Sequence, residues 1–344
     1  MKKITQHRQA GFTLIELMIA LALGLVISAA AIMLFLTGQK SYSLQQGAAD
    51  LQDNANFGLN YIVKDIRLSN LNTLSSEMND ETAGGGVVFT SSVNGKKESG
   101  VVVASNLPKN LTGATVAAGL LSKGNDGLSN VNTEKSDQLV IQYKPQYIRV
   151  DHNPPTPADP DDDEWFGGFD CEGNEVKFPI KTGGADTPLR IYVQRYFLRK
   201  DDNKASNEPQ DALALACDAG WYNETGNPDK VENYGDDGQI IMKRVDYFHV
   251  MFGVQDNANF RYISTKDYMA LTAPRPRILS VQLGILARSS QPVGNDSMIK
   301  NNQKFQVLDK EVILKAPIAG SSKYVRQAVS QTIALRNTFG ERGQ

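Results

Sequence analysis

GFTLIELMIALALGLVISAAAIMLFL, residues 11–36, is the stretch on which the reading of this chain turns. Between Arg8 and Lys40 the only ionisable side chain is Glu16, at the head of the apolar run Leu17–Leu36. About 20 apolar residues rising ~1.5 Å each cross the ~30 Å hydrocarbon core of a bilayer, so a membrane-spanning helix is predicted here. A carboxylate costs on the order of 2–3 kcal/mol at the bilayer centre and less near its edge. Glu16 therefore calls for a partner. Lys2, Lys3 and Arg8 precede the run with no acid among them. The excess of positive charge keeps that end in the cytoplasm and sends the remainder outward. A cleavable secretory signal would carry a shorter apolar core. Here the run is full length, and the small residue Gly11 stands before it.

Working outward, Leu44, Ala48, Leu51, Ala55, Leu59, Ile62 and Ile66 step by threes and fours, which predicts a solvated helix with one apolar stripe. No proline occurs before Pro108, so one helix from about Phe12 to Asn72 is allowed, roughly 90 Å long. Gly24, Gly38, Gly47 and Gly58 are points where such a rod could soften. After Gly84–Gly86 the pattern changes to alternation and β-branched residues. Strands are predicted at Val87–Val93, Gly100–Ala104, Gln138–Lys144, Leu189–Arg199, Ile240–Val254, Ile278–Arg288, Phe305–Lys315 and Tyr324–Arg336. The stretches Asp151–Gly168, Asp201–Gln210 and Tyr222–Gly238 read as polar loops that hold or flank the cysteines. Helix first and strands after define an α+β class with a mainly antiparallel sheet.

The chain has 344 residues, 22% of them charged and 41% hydrophobic, the composition of a folded protein rather than a disordered one. Its net charge of −2 disfavours general nucleic-acid binding, which depends on neutralising phosphates. Cys171 and Cys217 lie far beyond the apolar run; in an exported segment a disulfide is their default state. No G-x-S-x-G, HExxH, phosphate-binding loop or C-x-x-C is present, and His249 reads as a satisfied strand histidine, so no catalytic residue is assigned and no enzyme is expected. The acidic run offers one metal candidate: Asp159, Asp161 and Asp163 alternate, and Asp170 stands where a twelve-residue calcium loop places its last ligand. Glu164 replaces the turn glycine and Pro160 stiffens the loop, so a solvated acidic loop is preferred and no cofactor is assigned.

The basic leader, Gly11, and then Phe12-Thr13-Leu14-Ile15-Glu16-Leu17 resemble the class III signal of type IV pilins and of type II secretion pseudopilins. That resemblance implies a leader of residues 1–11, cleaved by prepilin peptidase between Gly11 and Phe12, and N-methylation of Phe12. Cleavage would remove three of the 36 Lys and Arg and none of the 38 Asp and Glu, taking the net charge from −2 to −5. It implies a pilin helix over 12–75, transmembrane over about 14–36, packed on a β-rich body over 76–344. It also supplies the partner for Glu16, the α-amine of Phe12 on a neighbouring subunit, which would set the register of assembly.

The segments IIMKRVDYFHVMFGV (Ile240–Val254), RILSVQLGILARS (Arg277–Ser289) and the closing YVRQAVSQTIALRN are similar to the PilW type of minor pilin. The function this implies is structural: a minor pilin of the type IV pilus that primes assembly near the tip. The fibre would serve twitching motility, adhesion or DNA uptake. Its partners would be other minor pilins and pilin subunits, the prepilin peptidase, the inner-membrane assembly platform and a tip adhesin. It would cross the bacterial inner membrane once, with its body in the periplasm and then in the extracellular fibre. A J-type pseudopilin of type II secretion and a DNA-uptake minor pilin are the alternatives; the acidic balance disfavours the second.

Overall fold

The computed structural model describes residues 11–73, 75–108, 111, 120–151, 163–206, 208–226, 228–293, 299–300, 303–318 and 320–338. One helix, α1, runs unbroken from Leu14 to Ile66, about 80 Å at ~1.5 Å per residue. It ends short of the expected Asn72. Beyond Ile66 the chain turns back on itself through Leu68–Asp65 and Ser69–Ile66 backbone hydrogen bonds, and Asn70 and Asn72 adopt positive φ. The side-chain amide of Asn337 donates to the carbonyls of Arg67 and Ser69, so the carboxyl end of the chain closes the helix terminus.

The strands follow in order: β1 (Lys96–Glu98), β2 (Val101–Ala104), β3 (Lys123–Gly127), β4 (Ser136–Tyr143), β5 (Ile148–Val150), β6 (Glu164–Phe169), β7 (Glu175–Pro179), β8 (Lys181–Thr182) and β9 (Ala185–Asp186). Then come β10 (Arg190–Lys200), β11 (Leu213–Asn223), β12 (Gln239–Lys243), β13 (Val245–Asp256), β14 (Asn259–Ser264), the short helix α2 (Thr265–Ala270), β15 (Arg277–Arg288), β16 (Lys304–Val307), β17 (Lys310–Ile313) and β18 (Arg326–Ala334). Two antiparallel sheets dominate, with orders β12-β11-β10-β4-β3 and β14-β13-β15-β18. They share one core with the second half of α1, in which Leu51, Ala55, Leu59, Ile62 and Ile66 pack among Leu215, Met242, Phe248, Ile285 and Ile333. Met242 lies against Gly58, and Val293 against Gly47, so closely that a Cβ at either glycine would collide with it. These two glycines admit the body to the helix. Gly24 and Gly38 have open space around them.

Several expected strands are redrawn. Val87–Val93 is not a strand. Val87 makes one isolated bridge to Ile141, and the amides of Phe89 and Thr90 are taken by the side-chain oxygen of Asn106 instead of by a neighbouring strand. Ile240–Val254 is two strands in two sheets, divided at Arg244, whose φ is +60°. Its guanidinium binds Asp201 at 2.7 Å and Glu208 at 2.8 Å, inside a buried group of ion pairs that also joins Arg288 to Glu208 and Arg326 to Asp246. Those bonds hold a conformation that is rare for a long side chain. Phe305–Lys315 is likewise a hairpin, β16 and β17, turning at Leu308 with φ +54°. The described residues of Asp201–Gln210 and most of Tyr222–Gly238 are loops as expected, whereas Glu164–Gly168 belongs to β6 and the unassigned stretch between the last two loops is β11, which runs through Cys217 and is buried along most of its length. The choice of strand for the closing segment agrees with β18.

Candidate functional site

The amino-terminal turn of α1 is built by its own sequence. Thr13, in extended conformation, is the N-cap, and three residues later stands Glu16. The Thr13 backbone N–H and its hydroxyl both donate to Glu16 Oε2 at 2.9 Å, and the Glu16 N–H donates to the Thr13 hydroxyl at 3.3 Å. This reciprocal arrangement satisfies helix donors that otherwise have no acceptor. Both bonds to the carboxylate use Oε2, although a carboxylate can accept at about four lone-pair sites. Phe12 projects beyond the cap, 89% exposed. Gly11, Phe12 and Glu16 thus lie within six residues of one another at the amino-terminal end of a helix whose first half is exposed among the described residues. Leu14, Leu17, Leu25 and Leu34 are exposed, and no described residue before Gly47 is buried.

Cys171 and Cys217 are joined as a disulfide, their Cα atoms 6.1 Å apart. The bond ties the turn between β6 and β7 to the middle of β11. The Tyr61 hydroxyl of α1 donates to the Cys171 carbonyl at 3.2 Å, so the same turn also contacts the helix. Nearby, Asp65 of α1 accepts a hydrogen bond from Tyr196 at 3.0 Å, and burial pushes its carboxyl up to about 6.

The acidic candidates separate. Asp159 and Asp161 lie outside the described residues. Asp163 is buried and ion-paired with Arg149. Asp170 organises the β6–β7 turn, its Oδ1 accepting from the backbone of Glu172 at 3.0 Å and of Asn174 at 2.9 Å. A different carboxylate group, not expected from the sequence, does converge: one oxygen each from Glu172, Asp218 and Asp236 lies within 4.8 Å of the others. Burial, followed by the charges of Asp170, Asp236 and Asp218, pushes Glu172 up to about 7. Local spacing gave no sign of this group, since the three residues come from three separate segments.

His249 is buried on β13 between two acids, with Nδ1 2.7 Å from Asp137 and Nε2 2.8 Å from Asp309. It joins β13, β4 and the β16–β17 turn. Both nitrogens are occupied, in keeping with a structural histidine.

Residues 196–337 match the sequence model of the family described as Type IV Pilus-assembly protein W, or PilW. Residues 6–32 match the prokaryotic N-terminal methylation motif. Among solved structures, the chain is similar to the type IV-like pilin TTHA1219 from Thermus thermophilus at 10% identity, with 63% of this chain and 85% of that chain covered and a TM-score of 0.23. No curated protein matches the chain. By these two matches the chain is similar to type IV pilin-like proteins, with the methylation motif at the head of its long apolar helix and the PilW match over the antiparallel β body behind it. Within that class it is most like the PilW minor pilins, which are structural proteins and not enzymes. A chain of this class is anchored in a membrane by its amino-terminal helix and associates with other pilus components.

Proposed function

We propose that this chain is a minor pilin that primes type IV pilus assembly and takes a place near the fibre tip. The observation that carries the reading is the contrast along α1: an apolar first half free of its own body, headed by a single carboxylate. Prepilin peptidase cuts between Gly11 and Phe12, Phe12 is N-methylated, and its new α-amine faces outward at the end of the rod. Glu16 of one subunit pairs with that amine on a neighbour. In the correct register the two charges meet; in a wrong one a carboxylate is left unpaired in a medium of low dielectric, which costs several kcal/mol. Before assembly the same apolar half holds the chain in the inner membrane, amino end in the cytoplasm, with the body in the periplasm. The inner-membrane assembly platform then passes it into the fibre, where the body faces other minor pilins, pilin subunits and a tip adhesin.

Glu16→Ala tests the reading. The variant should insert in the membrane and be processed, yet be lost from the sheared pilus fraction, and cells carrying it should bear fewer pili. Normal incorporation would remove the register role of Glu16. Gly11→Ala should leave the chain at its unprocessed size; a size equal to that of the parent would argue against cleavage at this bond.

A further inference from the structure

Beside the disulfide, three backbone segments bring carboxylates together. Glu172 follows Cys171 in the β6–β7 turn, Asp218 follows Cys217 in β11, and Asp236 lies in the turn that leads into β12. One oxygen from each lies within 4.8 Å of the others. Two oxygens bound on opposite sides of a calcium ion, at about 2.4 Å each, stand about 4.8 Å apart, so three oxygens within that limit can share one coordination sphere.

A second, independent feature is the state of Asp218. The residue is fully enclosed, with 0% exposure. Its Oδ2 is held by Arg195, at 3.0 Å from Nε, and by the Gly235 N–H at 2.9 Å. Its other oxygen, Oδ1, is buried and receives no hydrogen bond from the described residues. A buried carboxylate oxygen without a donor is costly, and a cation is one way to satisfy it. The charges point the same way. Arg195 is ion-paired with Asp218, and neither Glu172 nor Asp236 has an ion pair among the described residues. The three carboxylates outnumber the one guanidinium, and Asp170 adds to the negative excess, which a divalent cation would offset.

We propose that Glu172, Asp218 and Asp236 bind a single hard divalent cation, calcium, which closes the β6–β7 turn onto β11 and the β12 approach alongside the disulfide. The donors are all oxygens, and the sulfurs at hand are locked in the disulfide, which disfavours zinc. Carboxylates from three separate segments suit the irregular geometry of calcium better than the strict octahedron of magnesium. Glu172 is partly exposed and Asp236 exposed, so the ion has a way in, and water can fill the remaining positions.

Equilibrium dialysis of the purified full chain in detergent against radioactive calcium, with magnesium as competitor, tests the proposal. The expected result is one ion per chain, with affinity reduced on the order of tenfold or more in Glu172→Gln and in Asp236→Asn as ligand charge is removed. Asp163→Asn should bind like the parent. Calcium should also raise the thermal unfolding midpoint of the parent chain and chelation should reverse the rise, a readout that holds even if a variant folds poorly. Absence of stoichiometric binding, weak multiple binding unaffected by either substitution, loss of binding in Asp163→Asn alone, or preference for magnesium over calcium would each overturn the proposal.

Discussion

From Leu14 to Gln46 no side chain of α1 is buried, while from Gly47 to Ile66 the same helix sinks Leu51, Ala55, Leu59, Ile62 and Ile66 into the main core. The two halves differ both in apolarity and in pattern. The second half carries one stripe and keeps polar residues elsewhere, so a single partner surface satisfies it. Within the first, the run Leu17–Leu36 is apolar all round, and a helix of that kind needs an apolar surrounding on every side. The described residues of its own chain supply none. One continuous rod therefore serves two environments, and the change occurs near Gly47, the first buried residue of the helix, against which Val293 packs.

The largest effect on the packed half should come from the disulfide beneath it. Cys171→Ser with Cys217→Ser opens a link between residues 46 apart in sequence. In the chain-entropy view a loop of that size contributes about 4 kcal/mol. Urea unfolding should show the loss, whereas membrane insertion through the free half should be unchanged. An unaltered urea midpoint would mean that the body does not depend on the bond.

The next test sets one leucine from each half against the other. Leu59, 2% exposed within the main core, should cost about 2–5 kcal/mol of stability when changed to alanine. Leu23, 58% exposed, should change the body's stability by less than about 0.5 kcal/mol. Equal losses at the two positions would break the division of the helix.

The glycines sharpen the same contrast at smaller scale. Gly58→Ala pushes a methyl group into Met242, which should cost about 1–3 kcal/mol of unfolding free energy as the side chain shifts. Gly24→Ala meets nothing and should raise local helix stability by about 1 kcal/mol. A neutral Gly58→Ala would show that the close approach there has slack.

What could be read in advance follows the same divide between local and distant causes. The stretch from Gly11 to Leu17 is contiguous, so its motif could be read directly, whereas the capping of Glu16 by Thr13 inside it emerged only from the structure. The β13–β15–β18 ladder was legible because long runs of β-branched and aromatic residues favour strands. By contrast β11, LALACDAGWYN, is rich in small residues and buried on both faces, so neither β-branching nor alternation marks it. The break at Arg244 depends on Asp201 and Glu208, more than thirty residues away, which no local pattern contains. The convergence of Glu172, Asp218 and Asp236 needs a disulfide and a folded sheet to assemble it. Asp163 looked like part of a ligand ladder, but its partner is Arg149 across the β5–β6 pairing.

The smallest predicted effect lies in the body alone, at His249. Burial by itself would lower its pKa, but the hydrogen bonds and charges of Asp137 and Asp309 outweigh burial, and the net shift is upward from 6.5. The small cavity beside the ring is also lined by Glu134, Asp267, Lys266 and Lys310, so charges of both signs face it. A folded-state pKa above the unfolded one means that folding favours the protonated ring. The stabilisation is fully present below the unfolded value of about 6.5 and is lost as pH rises through the folded value. Urea midpoints of the parent chain and of His249→Gln should therefore differ most near about pH 5.5 and converge toward about pH 9. Glu16 and the free half of α1 have no part in this, so membrane insertion should stay constant across the same range. A gap that widens with rising pH would reverse the assignment and make the neutral ring the form that the fold prefers.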